Sequence, residues 1–422
     1  MTLIKKTAFI LAFLHVCAIA PAFSAETLTL EECIFTALTE HPDLKAAESR
    51  VDSARAGIGA AAADKNTQLS ASGSYTRSDS RFADHDTGAY NTGVQVTQSL
   101  FDWGRANLRI GGARLSTNAA EADYLQTRDN VIANVRSAYY ALNRSIRQHA
   151  VAETRHRNYE QRLDWARSYY QVGTKAKIEV TKAEADLSNS KLALVRTESS
   201  AQQSKAELAS AMGVPLSRIE HITDVLDYED WDIPIEQAVQ RALANRPELL
   251  AKQKRVEYAK TQLELQMKGL SPSISVSGGY TAFGSAPFDD NSWNARISVN
   301  VPIFDGGLTK SRVEGARADL AAANAEFDSL TNSVMLDVRR AWESLVEAKQ
   351  ALSASIESER YAKETLDLAL GRYKAGVGDS LEISDAVDSY ASAQANTVLS
   401  LYECKQAQLD LEKAMGGLDD EQ

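Results

Sequence analysis

The alternation of polar and apolar residues predicts two pairs of β-strands. Residues 292–303 form the clearest strand, because polar and apolar side chains follow one another along most of the segment. This two-residue period gives a strand one polar face and one apolar face. Residues 273–283, 68–78 and 91–101 show the same period, and polar loops join the members of each pair.

A helix is predicted in front of each strand pair. Residues 31–63 and 236–268 are rich in Ala, Glu, Lys and Leu, which are good helix formers. Thr29 and Glu32 have the spacing of a capping box, in which each residue satisfies a backbone N–H of the other. We therefore predict one continuous helix at each of the two places.

Two much longer helical segments follow the strand pairs. Residues 103–212 and 306–415 contain no Pro and few Gly, and a short interruption near Gly173 or Gly376 divides each segment. We therefore predict a helical hairpin in each segment, with its tip at that glycine. About 65 helical residues with a rise of 1.5 Å each reach about 100 Å. Uncapped, alanine-rich helices of this length predict coiled-coil packing.

The chain consists of two copies of one unit. Pro42-Asp43-Leu44 returns as Pro247-Glu248-Leu249 after 205 positions, and Phe101-Asp102 returns as Phe304-Asp305 after 203 positions. A duplication explains this self-similarity. The predicted organisation is repeat 1 at residues 25–213, a linker at 214–234, repeat 2 at 235–416 and a tail at 417–422.

The first 24 residues have the pattern of a secretory signal peptide. Two lysines precede an apolar run at residues 8–20, and Ala22-Phe23-Ser24 fits a cleavage site. The run is shorter than the roughly 20 apolar residues that a transmembrane helix needs. Lipidation of Cys17 is the less favoured alternative, because Val16 is large for the position before a lipidated cysteine. We predict that residues 1–24 are removed on export.

Charge and cysteine content exclude several classes of protein. The formal net charge of −11 argues against a nucleic-acid partner, since a phosphate backbone selects basic surfaces. After the signal only Cys33 and Cys404 remain, which excludes a disulfide framework. Two free buried thiols are favoured over a single bridge between them.

The sequence contains no recognisable catalytic or cofactor motif. The six histidines show no metal-ligand spacing, and a phosphate-binding glycine loop, a nucleophile elbow and a Cys-x-x-Cys motif are all missing from the sequence. We therefore predict no enzyme activity, no cofactor and no metal site.

The predicted strands have the length of membrane-spanning strands. A bilayer is crossed by about 9–11 tilted strand residues, and no segment after the signal is long enough for a transmembrane helix. Insertion into a membrane therefore requires a closed β-barrel. Small barrels need at least eight strands, so several chains would have to share one. The alternative is a periplasmic coiled-coil scaffold without a channel.

Several motifs in order along the chain resemble those of the TolC-type outer-membrane factor family, over essentially the whole mature sequence. They lie at residues 28–32, 41–44, 98–102, 301–307, 372–378, 381–383 and 385–386. The resemblance implies a mixed α and β membrane protein that is a homotrimer. Its twelve-stranded transmembrane β-barrel, with four strands per chain, continues into a periplasmic coiled-coil barrel of twelve helices.

The resemblance also implies a function, a location and partners. The chain would be the outer-membrane channel of a tripartite efflux or type I secretion system, embedded in outer-membrane lipid with most of its mass in the periplasm. It would be a passive duct that is gated at its periplasmic end. A periplasmic adaptor, or membrane fusion protein, and an inner-membrane RND or ABC pump would open it.

Carried over position by position, the resemblance assigns roles near the hairpin tips. Glu382 and Asp385 fall on the constriction acids, Tyr373 on the gate tyrosine, and Glu179 on an acid that tethers the closed state. A ring of carboxylates around a threefold axis favours cations. The adaptor would dock on the tips, at Gly173, Thr174, Gly376, Val377 and Gly378.

Two further points follow from the resemblance. Phe101-Asp102 and Phe304-Asp305 would turn strand into helix at the membrane boundary, where Trp103 and Trp293 are candidates for interfacial anchors.

Some family members carry an Arg two residues after the second tip glycine, where this chain has Gly378. Lys175 and Lys374 are therefore the candidates for a different latch.

Overall fold

The computed structural model describes residues 27–78, 87–228 and 230–418. The predicted signal peptide and most of the predicted tail lie outside these residues. The elements are α1 (Leu30–Glu40), α2 (Pro42–Ala63), β1 (Gln68–Ser78), β2 (Thr87–Phe101), α3 (Arg105–Gln171), α4 (Lys177–Met212), α5 (Ile235–Asn245), α6 (Pro247–Met267), β3 (Ser273–Gly284), β4 (Asp290–Asn300), α7 (Leu308–Lys374) and α8 (Ser380–Met415).

The prediction of one continuous helix before each strand pair is wrong, because each is divided in two. His41 ends α1 and Arg246 ends α5, both with extended backbone (ψ 127° and 118°). The next residue is a proline, which disfavours helical backbone at the residue before it and cannot donate a hydrogen bond. Pro42 and Pro247 instead begin α2 and α6. The capping box of Thr29 and Glu32 is confirmed.

Within the described residues the strands form one antiparallel sheet in the order β1-β2-β3-β4. The central pairing of β2 with β3 joins the two repeats, with Val94 opposite Tyr280 and Gln98 opposite Val276. Residues that face each other across strands share one side of a sheet. The register therefore gathers apolar residues on one side: Leu69, Val94, Val96, Ile274, Val276, Tyr280, Trp293, Ile297 and Val299.

Three strand boundaries differ from the prediction by two residues or more. β4 begins at Asp290 and ends at Asn300 rather than running from 292 to 303, and Pro302, which has no N–H for a ladder bond, explains the early end. β2 begins at Thr87 rather than 91, because it pairs with β1 as far as Ser78.

The long helices dominate the molecule. α3 and α7 each contain 67 residues, and α4 and α8 each contain 36. α3 and α7 begin two residues later than predicted, after Gly104 and Gly307 in left-handed conformation. No helix in the described part of the chain is both long and apolar enough to cross a membrane.

The helices lie side by side in a row. α3 packs along both α4 and α8, and α8 also packs along α7, which gives the order α4-α3-α8-α7. Nearer the sheet the order is α2-α3-α6-α7. α3 and α8 therefore have neighbours from both repeats, whereas α4 and α7 lie at the two open sides of the row.

The linker between the repeats runs across the middle of these helices. Ile222 forms a parallel bridge with Leu28, and the Tyr139 hydroxyl lies 2.8 Å from the carbonyl oxygen of Thr223. Cys33 and Cys404 are free and lie in two separate clusters of buried side chains. Burial raises the pKa of the Cys33 thiol to about 12 and that of the Cys404 thiol to about 11. Both thiols are therefore protonated and unreactive at neutral pH.

Candidate functional site

The predicted docking residues lie in the two turns that connect the long helices. Gly173 and Gly376 both have left-handed backbone, with φ of 77° and 78°, a conformation that favours glycine. In the first turn the N–H of Thr174 donates to the carbonyl of Tyr169 (2.9 Å). In the second turn the N–H of Gly378 donates to the carbonyl of Arg372 (3.1 Å).

Gly378 is required by a close backbone approach rather than by its own conformation. A Cβ at this position would lie 2.8 Å from the backbone nitrogen of Tyr373 and 3.1 Å from the carbonyl carbon of Arg372. Backbone atoms cannot move aside as a flexible side chain does. The second turn therefore has no room for the arginine that some family members carry here.

Gly378→Ala is expected to destabilise the second hairpin by about 1–3 kcal/mol, the usual cost of overpacking. Gly371→Ala is the matched control, because its Cβ would meet nothing within 4 Å in the last turns of α7. It should stabilise the helix by up to about 1 kcal/mol. Hydrogen exchange of the tip amides measures both effects. Equal exchange in the two variants would contradict the close approach.

Tyr373 lies in an aromatic cluster between the two hairpins. Its ring centroid is 5.5 Å from that of Tyr169 in an edge-to-face arrangement and 6.1 Å from that of Trp165. In the described part of the chain, the Tyr373 hydroxyl and Oε2 of Glu179 are buried without a hydrogen-bond partner. Burial raises the pKa of Tyr373, and the negative charge of Glu179 raises it further. The structure thus brings Tyr373, the predicted gate tyrosine, near Glu179, the predicted tethering acid, but forms no hydrogen bond between them.

The two lysines near the tips contact aromatic rings in a reciprocal way. Nζ of Lys175, in the first turn, lies 5.9 Å from the ring centroid of Tyr373 in the second repeat. Nζ of Lys374, in the second repeat, lies 5.2 Å from that of Trp165 in the first. Both separations are within the range of cation–π attraction. Each hairpin therefore reaches the other with one cation. We call these two contacts the lysine clasp.

A buried arginine joins the hairpins one level away from the tips. Arg162 of α3 is only 2% exposed and forms an ion pair with Asp186 of α4. Its guanidinium also donates to Oγ of Ser380 (2.8 Å) and of Ser384 (3.1 Å) at the start of α8. Arg162 therefore ties the first hairpin to the second through one side chain.

The next layer along the helices repeats this connection. Asp388 of α8 accepts hydrogen bonds from Arg155 (3.0 Å) and from the hydroxyl of Tyr159 (2.6 Å) on α3. Burial raises the pKa of Tyr159 to about 12, with the bond to Asp388 as the next largest cause. Neither layer is predictable from the sequence pattern, because Arg155 and Arg162 are two charges among many on a helix. The paired serines four residues apart, Ser380 and Ser384, were the available signal.

The two predicted constriction acids, Glu382 and Asp385, differ in their surroundings. Oε1 of Glu382 lies 3.1 Å from Nε of Arg372, and both side chains are exposed. Asp385 is exposed and forms no ion pair or hydrogen bond with any described residue. An exposed ion pair contributes only about 0–1 kcal/mol to stability. It nevertheless places the positive charge of Arg372 beside the Glu382 carboxylate. Asp385 therefore carries the uncompensated negative charge of the two.

The predicted strand-to-helix turns use their aspartates as helix caps. Asp102 accepts hydrogen bonds from the N–H groups of Gly104 (3.0 Å) and Ala106 (2.5 Å). Asp305 accepts them from Gly307 (3.1 Å) and Thr309 (2.8 Å) in the same way. Side-chain oxygens at these positions satisfy N–H groups that the first helical turn leaves free. These turns lie at the sheet end of the long helices, away from the tips.

One protein family and several known proteins match this chain over most of its length. A family model described as outer membrane efflux protein matches residues 34–214 and 238–417. Protein CyaE of Bordetella pertussis is 26% identical over 411 residues, which cover 94% of this chain and 86% of that protein. Outer membrane protein TolC of Vibrio cholerae is 22% identical over 410 residues, which cover 93% of this chain and 91% of that protein.

Solved structures agree with the fold. The outer membrane protein VceC of Vibrio cholerae matches with a TM-score of 0.79 at 20% sequence identity, over 92% of this chain and 96% of that chain. The CmeC outer membrane channel of Campylobacter jejuni matches with a TM-score of 0.81 at 18% identity, over 92% and 85% respectively. Both matched regions of the family model contain one strand pair and one helical hairpin.

Proposed function

The chain belongs to the outer membrane efflux protein family, and from this membership we propose that it is the outer-membrane channel of a tripartite efflux or type I secretion system. The observation that carries the proposal is the combination of a sheet with one apolar side and 67-residue helices that extend from it. Such a sheet suits lipid on one side and water on the other, and the helices extend the duct into the periplasm. The protein provides a path and performs no chemistry.

Three chains together form the channel. β1 and β4 have no second strand neighbour among the described residues, and open strand edges are not tolerated in lipid. Three copies of four strands give a twelve-stranded barrel, whereas one copy lies below the minimum of eight.

The helices support the same closure. α4 and α7 lie at the two open sides of the helix row, and both carry exposed apolar side chains. These are Ile178, Leu192 and Val195 on α4, and Ile356, Tyr361 and Leu368 on α7. Packing α4 of one protomer against α7 of the next removes these side chains from water. The result is a closed tube of twelve helices.

The hairpin tips form the gated periplasmic end. Gly173, Thr174, Gly376, Val377 and Gly378 meet the periplasmic adaptor, and an inner-membrane RND or ABC pump delivers the cargo. The closed arrangement is held by the Arg162 contacts and by the lysine clasp, in place of the arginine that Gly378 excludes. Opening moves the second hairpin away from the first and breaks these contacts.

Covalent cross-linking tests the trimer against the periplasmic-scaffold alternative. Val195 lies 18 residues after the first residue of α4, and Ile356 lies 18 residues before the last residue of α7, so both are at the same height above the tips. Both side chains are about half exposed. Val195→Cys with Ile356→Cys is expected to give covalent trimers with a short bismaleimide. The buried Cys33 and Cys404 should not react.

Two controls define the result. Each single-cysteine variant should remain monomeric on denaturing gels. Val195→Cys with Leu336→Cys places the second thiol 20 residues further along the same helix, about 30 Å away, and should also give no trimer. Monomers from the Val195–Ile356 pair in the detergent-solubilised protein would contradict the proposed assembly.

A further inference from the structure

A single arginine lies within the polar side of the sheet, in the part of the chain that the structure describes. Arg296 of β4 lies opposite Ser277 of β3. Because neighbouring strand residues point to opposite sides of a sheet, Arg296 faces away from the apolar side that contains Ile297. The other described strand residues on the polar side are uncharged, except Asp290 at the start of β4. Arg296 is therefore an isolated cation on a surface of mainly hydroxyl and amide groups.

No described residue neutralises this charge. Arg296 is exposed and forms no ion pair or hydrogen bond with any described residue. Asp290 lies six residues before it in β4, and at about 3.4 Å per residue the two are about 20 Å apart. The Debye length at physiological ionic strength is about 8 Å, so Asp290 does not compensate the guanidinium. The N–H groups of Arg296 act only as donors, and they are available to an anion.

The matching position of the first repeat has no side chain. At the offset of 203 residues, Gly93 corresponds to Arg296. A Cβ at Gly93 would lie 3.2 Å from the carbonyl oxygen of Tyr280 and 3.2 Å from Oγ1 of Thr281 on the neighbouring strand. This close approach leaves little room for a side chain. Each chain therefore contributes one arginine to this part of the sheet.

The dimensions of the proposed barrel bring three of these arginines close to one axis. Twelve strands about 4.8 Å apart and tilted by about 40° give a circumference of about 75 Å and a backbone diameter of about 24 Å. A side-chain layer of about 5 Å on each wall, half the spacing of packed sheets, leaves a lumen of about 14 Å. Each guanidinium then lies about 7 Å from the axis, which is within one Debye length.

We propose that the three Arg296 side chains of the proposed trimer form a binding site for polyvalent anions inside the barrel. The ligand class is a molecule with several phosphate or carboxylate groups, because a guanidinium pairs with either group through two parallel hydrogen bonds. The hydroxyl of Ser277, opposite Arg296, supplies a further donor. The inference rests on the proposed channel function, since only the trimer brings three guanidiniums around one axis.

This site is separate from the carboxylates near the hairpin tips. The 67 residues of α3 and of α7 place about 100 Å between the sheet and the tips at a rise of 1.5 Å per residue. That distance is more than ten Debye lengths of about 8 Å, so the two sites do not influence each other. The lumen at Arg296 is also wide enough for small hydrated ions to pass. Arg296 therefore acts on large anions, while the gate sets the selectivity for small ions.

Block of the channel by myo-inositol hexakisphosphate tests the proposal. Protein added to one side of a planar bilayer keeps its long charged helices on that side, so the mouth of the barrel opens on the other. Hexakisphosphate added at the mouth should reduce the single-channel current. Arg296→Gln should raise the blocking concentration by about 10–100-fold, because the charge-assisted hydrogen bonds to the guanidiniums are lost. Added on the helical side, the polyanion should block less, because the closed gate excludes it.

Two matched variants and two solution controls define the site. Arg296→Lys keeps the charge but loses the paired hydrogen bonds, so its blocking concentration should lie between those of the wild type and Arg296→Gln. Arg77 lies eight residues after Leu69 in β1 and therefore on the apolar side. Arg77→Gln removes the same charge from the same sheet and should leave the block unchanged. Uncharged myo-inositol should not block, and a higher salt concentration should weaken the block by hexakisphosphate.

The outcomes separate this inference from the channel function. If the protein conducts but hexakisphosphate blocks the wild type and Arg296→Gln at the same concentration, or blocks neither, the anion site is refuted and the channel stands. If no variant conducts, both proposals fail.

Discussion

Replacing Arg162 with methionine is expected to open the periplasmic end of the channel and to lower the stability of the closed state. Removing one partner of a buried ion pair costs about 3–5 kcal/mol, because the other charge loses its compensation. Here the same change also removes both hydrogen bonds to Ser380 and Ser384, through which this side chain holds α8. Thermal unfolding in detergent and channel conductance in a planar bilayer measure the two effects separately.

A double variant distinguishes gating from general damage to the fold. Arg162→Met with Asp186→Leu removes both charges, and replacing a buried pair with apolar residues is often neutral for stability. The double variant should therefore recover thermal stability but still lack the links to α8, so its conductance should remain high. A double variant that regains both stability and the small conductance of the wild type would show that Arg162 does not hold the gate. Arg155→Met, at a more exposed site in the next layer, should show a weaker form of the same behaviour.

Asp385→Asn is expected to relieve block of the channel by multivalent cations, with a rise of about 10–100-fold in the blocking concentration. In the proposed trimer, three Asp385 carboxylates would surround one axis. Each charge pair at about 4 Å contributes about 1 kcal/mol even in water, and 1.4 kcal/mol is a factor of ten in affinity. Single-channel recordings with cation added from the periplasmic side give the blocking concentration.

Glu382→Gln is the matched comparison for this prediction. Glu382 already lies beside Arg372, so its loss should change the blocking concentration less than the loss of Asp385. Arg372→Gln should strengthen the block, because it frees the Glu382 charge. An equal effect of Glu382→Gln and Asp385→Asn would contradict the assignment of the open charge to Asp385.

The sequence predicts the elements of this fold well because their patterns are local. Strand alternation, helix composition and the capping pair Thr29 and Glu32 depend on neighbours within a few residues. The element boundaries that were predicted wrongly have a local cause as well, which is proline. Pro42 and Pro247 fall inside otherwise helical segments and divide them, and Pro302 ends β4 early. At each of these positions the proline outweighs the helical or strand pattern of its neighbours, because it lacks the N–H group that the element needs.

The site was less predictable, because its contacts join distant parts of the chain. Tyr170 and Tyr373 occupy equivalent positions in the two repeats, yet Tyr170 is 46% exposed and Tyr373 only 2%. Internal symmetry alone predicts the same environment for both. The difference arises because the second hairpin packs against the aromatic residues of the first. Arg162 contacts Asp186, Ser380 and Ser384. These residues are far apart in the sequence, and the packing of the second hairpin against the first brings them together.

Some family members carry an arginine where this chain has Gly378, and the reason for the glycine is visible only in the three-dimensional structure. The sequence shows only that an arginine is missing. The structure adds that no side chain fits there, and that the lysine clasp and Arg162 provide cations at other positions. In the proposed gate, the cations therefore come from the first repeat and from the end of α7.

The ion selectivity of single channels tests the central claim most directly. The mature protein, purified from membranes in detergent, is added to a planar bilayer with a salt gradient, and the conductance steps and reversal potential are recorded. We predict discrete, small, cation-selective steps, because in the proposed trimer the Arg162 contacts hold the gate closed and three Asp385 carboxylates ring its opening. A protein that inserts into the bilayer but conducts no ions under any condition, the Arg162→Met variant included, would contradict the gated channel.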